Sequence, residues 1–151
     1  MKKTISILLL LTLAFFTCKQ AEKKDMNMDV HHEDILNNDW INDIKLNEGA
    51  KWQVNKATHE GVLEMQTLLK TERTVSIEAY HHLATQLNQV KNTIIKNCDM
   101  KGKAHNNLHV WLLPLIQKLD VLLNSKSVED ASKLKYSIEE NINKYNTYFQ
   151  Y

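Results

Sequence analysis

The sequence predicts an all-α protein, an up-down antiparallel four-helix bundle preceded by a short N-terminal helix or plug segment. Three observations carry this expectation. Glycine occurs only three times and proline once in 151 residues, too few for a turn-rich β protein. Four stretches between Asn55 and Phe149 repeat apolar residues at alternating steps of three and four, the period of a helix with one buried face. The stretches are separated by linkers of a few residues, which force neighbouring helices to run antiparallel.

Taken in order, the first element is an export signal. Lys2 and Lys3 give a positive start, Ile5 to Phe16 is a largely apolar run, and Lys19 onward is polar and charged. A dozen apolar residues are short for a spanning helix, which needs about 20 to cross a hydrocarbon core of about 30 Å. The tetrad Phe15-Phe16-Thr17-Cys18 at the boundary resembles the lipobox of bacterial lipoproteins, whose Cys is lipidated and becomes the first mature residue. Phe15 and Phe16 stand where that family commonly carries Leu and a small residue. The resemblance covers the first 18 residues and implies lipidation at Cys18, a membrane anchor, and a body in the bacterial cell envelope, periplasmic or surface-facing. An uncleaved anchor and a cut after Ala14 are the alternatives, and both also export the body.

Residues 18–34 follow as the lipidated Cys and a polar tether with no apolar period. Met26, Met28, His31 and His32 lie in it. The body, 35–151, has the length of one domain. Ile35, Leu36, Trp40, Ile41 and Ile44 suit a short helix, and Trp52 and Val54 an extended approach to the first long helix. Both Trp are expected to pack, with this segment docked across one end of the bundle.

The first long helix starts after Asn55 as cap, with Thr58, Val62, Met65 and Leu69 on its inner face. The second, from about Thr74 to Asn97, carries Tyr80, Leu83, Leu87, Val90 and Ile94. The third, from about Lys103 to Leu123, carries Leu108, Leu112, Leu115, Leu119 and Leu122, with Pro114 inside it removing one backbone donor. Ser127 caps a fourth reaching Tyr148, with Ala131, Leu134, Ile138, Ile142, Tyr145 and Phe149 as its stripe.

Candidate chemistry is concentrated where the second helix turns into the third, in Cys98-x-Met100-x-Gly102-x-x-His105-x-x-x-His109. Cys98 lies four residues beyond Ile94 and His105 three before Leu108, so both stripes bring them inward. His105 and His109 are one helical turn apart and therefore neighbours. Thiolate and thioether favour Cu(I), and imidazole suits copper or zinc. The expected metal ligands are Cys98, Met100, His105 and His109, with His59 as an extra ligand and copper favoured over zinc. With Cys18 committed to lipid, Cys98 has no partner for a disulfide in an oxidising compartment. Ordinary packing of these four side chains is the competing reading. His81 and His82 lie off the stripe and are expected to face solvent.

Composition excludes other classes. The formal charge is +1, and −1 once Met1 to Thr17 is removed, so nothing points to nucleic acid. No phosphate loop, nucleophile elbow or His-Glu-x-x-His occurs, nor the two Glu-x-x-His motifs that a di-iron bundle needs, and no enzyme activity is expected. The sequence thus points to an exported, lipid-anchored bundle that binds a soft metal for buffering, delivery or sensing. The alternative is a metal-free module that docks an envelope protein.

Overall fold

The computed structural model describes residues 34–151. The expected signal peptide, Cys18 and the tether up to Glu33 lie outside the described residues. The body is all-α, with four long helices: α1 (Lys56–Thr71), α2 (Ile77–Lys96), α3 (Gly102–Asn124) and α4 (Val128–Tyr148). Each packs against its neighbour in sequence, and α1 and α2 both also pack against α4. Among the described residues no helix is long and apolar enough to cross a membrane.

Side-chain caps set three of the four helix starts. The Asn55 side chain accepts from the Thr58 N–H (3.0 Å), Ser76 from Ala79 (3.3 Å) and Ser127 from Asp130 (3.1 Å), each satisfying a donor that the first turn leaves free. Ser76 also explains why α2 begins later than the periodicity from Thr74 suggested. The start of α3 has no side-chain cap and follows instead from Gly102, whose φ of +67° is left-handed and suits a residue without Cβ. Pro114 lies inside α3, which is helical through to Asn124.

Every residue of the four expected stripes is buried, from Thr58 to Tyr145. Phe149 is buried too, but not on the helix. The chain leaves α4 at Phe149 (φ −128°, ψ 152°), and Phe149–Gln150 forms a short strand, β2, paired in parallel with β1, Trp52–Gln53. The pairing sets Trp52 beside Phe149 and Gln53 beside Gln150, and the Val54 N–H donates to the Gln150 carbonyl at 2.9 Å. Phe149 stacks on Tyr145 (centroids 5.1 Å) and meets Trp111 edge-on (6.4 Å), closing the core over Trp111. Two-residue strands carry too little pattern to register in a sequence.

The segment before β1 is not a plug across one end. It runs lengthwise over α3 and α4. The Ser137 hydroxyl donates to the Leu36 carbonyl (2.6 Å), and the Asn38 amide donates to the Ser137 carbonyl (3.2 Å). A 3₁₀ turn at Asp39–Asn42 buries Trp40, whose ring meets Tyr148 edge-on at 6.0 Å. Further along, the Asn107 side-chain oxygen accepts from the Lys45 N–H at 3.1 Å. Its α3 partners, from Lys118 back to Asn107, lie about 16 Å apart along the axis. Polar pairs fix this course, and an apolar pattern does not reveal them. A two-residue turn with Glu48 (φ +53°) and Gly49 (φ +91°) then returns the chain to β1, as turns between paired backbones require.

Candidate functional site

The turn from α2 to α3 is tied to the start of α1. The Asn55 amide donates to the Asn97 carbonyl at 2.8 Å and to the Asp99 carboxylate at 2.7 Å, so one residue caps α1 and clamps the turn. Cys98 carries a free thiol. Cys98 and Met100 are both half-buried and packed against the core. For Cys98 this matches the inward direction expected from the α2 stripe.

On the first two turns of α3, His105 is half-buried and His109 is exposed. Their ring centroids are 4.3 Å apart at an interplanar angle of 59°. Spacing of four along a helix produces this contact directly. Two imidazoles on one ion, with metal–nitrogen distances of about 2.0–2.1 Å, place their centroids about 4.5 Å apart at a right-angled bite and about 5.2 Å at a tetrahedral one. The observed centroid separation of 4.3 Å falls just short of the smaller bite.

The structure brings His105 and His109 together and sets Cys98 and Met100 on the adjoining turn. Among the described residues, no group of three or more His, Cys, Asp or Glu side chains is placed to hold a metal. His59 stacks on Tyr151 (centroids 5.7 Å, 25°) beside the β1–β2 seam, with its Nδ1 buried and without a hydrogen-bond partner. His82 is exposed as expected, whereas a ring nitrogen of His81 lies 2.9 Å from the Ser125 carbonyl and ties α2 to the α3–α4 linker. That linker is distant in sequence, so no local pattern announces the contact.

Sequence reasoning missed a second polar centre. Lys118 is 1% exposed, and its ammonium donates to the Asn38 side-chain oxygen, which also accepts from the Trp40 indole at 3.0 Å. Burial pushes the Lys118 ammonium down to about 8, against the attraction of Glu140 and Asp39. Beside it is an open cleft of about 470 Å³ whose lining includes Asp34, Ile35, Pro114 and Gln117. The signal was present: Lys118 sits between Leu115 and Leu119, on the buried face of α3. A long stem that reaches a polar segment made its burial tolerable. Tyr145 is also sealed in, and burial raises its hydroxyl well above the ordinary tyrosine value.

Comparison of the chain with protein-family models, with curated proteins and with solved structures finds no match.

Proposed function

We propose that this chain is an exported, lipid-anchored up-down antiparallel four-helix bundle that binds a soft transition metal at the α2–α3 turn, copper in preference to zinc. The observation that carries the metal reading is the His105–His109 pair, two imidazoles 4.3 Å apart with one of them exposed. Two His one turn apart on a helix are a recurrent bidentate unit for transition metals. The thiol of Cys98 and thioether of Met100 on the same turn add the soft donors that select Cu(I).

The up-down arrangement is supported by linkers of three to five residues between packed helices. It is also supported by the start of α1 meeting the end of α2, at Asn55 with Asn97 and at Gly61 with Ile94. Anchoring rests on the Phe15-Phe16-Thr17-Cys18 lipobox-like tetrad. An exported copper site on a tether suits buffering, delivery or sensing.

The test is thermal unfolding of the purified chain with Cu(I), and separately with Zn(II), under reducing conditions. Binding at a hundredfold excess over Kd stabilises a folded protein by about 2.7 kcal/mol, several degrees of melting temperature. The gain should be larger with copper, shrink in Cys98→Ser, and vanish when His105 and His109 are both replaced by Ala. A wild-type melting temperature unmoved by either metal ends the metal reading.

A further inference from the structure

Independent of the metal site, α1 and α4 carry polar side chains that the core seals from solvent. Asn141 and Thr58 are 0% exposed and Tyr145 is 1% exposed. Both amide atoms of Asn141, the Tyr145 hydroxyl and the Thr58 hydroxyl find no hydrogen-bond partner in the protein.

The fold puts Thr58 and Tyr145 near one level, with Asn141 one turn beyond. Val54 is bonded to Gln150, and Trp52 is paired with Phe149. Thr58 lies one turn into α1 from that seam, and Tyr145 one turn back along α4, each about 6 Å from it. Asn141 is a further turn along the same face of α4. Trp111 packs on the two α4 residues: its indole N–H donates to the Asn141 backbone carbonyl at 3.0 Å, and its ring lies 5.2 Å from Tyr145. The indole is thus spent on the backbone and leaves the amide untouched.

An unpaired buried polar group is costly, and four such atoms fall on the first turn of α1 and two successive turns of α4. The chemistry of these groups defines their guest. Asn141 offers two donors and an acceptor, and each hydroxyl offers one donor and two acceptor positions, so the guest must both donate and accept. The one charged side chain buried in the described core, Lys118, is engaged with Asn38, so the guest is neutral. Asn141 and Thr58 are 0% and Tyr145 1% exposed, and none of them lines the cleft beside Lys118 or the smaller groove at Glu64, Leu68 and Gln86, so only a small guest fits. We infer that one or two ordered water molecules are a built-in part of this core, bridging Asn141, Tyr145 and Thr58 across the α1–α4 interface. A buried water of this kind makes about three hydrogen bonds and ties the facing helices into one register.

The experiment uses the full chain and two variants, Tyr145→Phe and Thr58→Val, which remove a hydroxyl while keeping the shape. A bridging water makes each hydroxyl a partner, so each variant should melt at least about 2 °C lower. Unbridged hydroxyls are a burden, and their removal would hold or raise the melting temperature. In the wild-type chain, water should also give nuclear Overhauser contacts to the Asn141 side-chain amide, with the sign of a molecule tumbling with the protein. The contacts together with a fall in both variants are the expected result. Absent contacts, or a melting temperature that holds or rises in either variant, overturn the inference.

Discussion

Gly61→Ala tests how closely α1 and α2 approach. Gly61 is buried in the second turn of α1, inside the helix, where alanine would ordinarily be favoured by about 1 kcal/mol through helix propensity. A Cβ at this position would stand 2.5 Å from Cγ1 and 2.8 Å from Cδ1 of Ile94, with Val90 Cγ1 at 3.5 Å. Carbon atoms pack at about 3.5–4.0 Å, so one side must yield by about 1 Å. Ile94 is 0% exposed, so the movement is shared between its enclosed side chain and the helix pair itself. Forcing a methyl into a packed core costs about 1–3 kcal/mol. A shift of this size belongs to the upper part of that range, leaving a net loss of about 1 kcal/mol after the propensity gain. Urea and thermal unfolding of wild type, Gly61→Ala, Ile94→Ala and the double variant separate the terms. Ile94→Ala alone should cost about 2–5 kcal/mol. In the double variant the new methyl fills part of the space left by Ile94, so the losses should sum to less than their parts by about 0.5 kcal/mol or more. A Gly61→Ala protein that is more stable than wild type would refute the close approach.

Two further outcomes follow from the caps and from Lys118. Asn55→Ala should cost about 2 kcal/mol and Ser127→Ala about 1 kcal/mol, because Asn55 loses a cap and also its clamps on Asn97 and Asp99; equal losses in urea unfolding would show the clamps to be idle. Lys118 is held near 8 in the folded chain and rises to about 10.5 when unfolded, so between those values the unfolded state binds more protons and stability increases with pH. That rise should disappear from melting curves of Lys118→Met, and its persistence there would assign it to another group.

The helical part of this fold was legible because it depends on local rules. Asn55 and Ser127 mark their helices as caps, and the stripes from Val62 to Tyr145 are the residues that the core buries. Ser76 is the same device, hidden because the apolar pattern runs on ahead of it from Thr74. What escaped was long-range and polar. Asn38 meets Lys118 and Ser137 across 80 and 99 residues of chain, Phe149 leaves its helix to pair with Trp52, and His81 finds Ser125. Each is decided by partners far apart in sequence, and periodicity carries no information about such partners. The His105–His109 contact was readable because a single helix makes it, whereas the position of His59 against Tyr151 depends on the seam at the far end of the chain.

The lengthwise course of the segment from Leu36 to Lys45 has a mechanical consequence. A pull applied ahead of Asp34 meets the contacts of Leu36 with Ser137 first, then those of Asn38 with Lys118 and Ser137, then the Trp40 edge on Tyr148, and only later the bond between Lys45 and Asn107. Under a pull that lifts the strip away from the helices, load would fall on one small group of contacts at a time. The paired strands at Trp52 and Phe149 come under tension only after this strip has lifted. Pulled from that end, the strip would give up its contacts one group after another before the four helices carried the load.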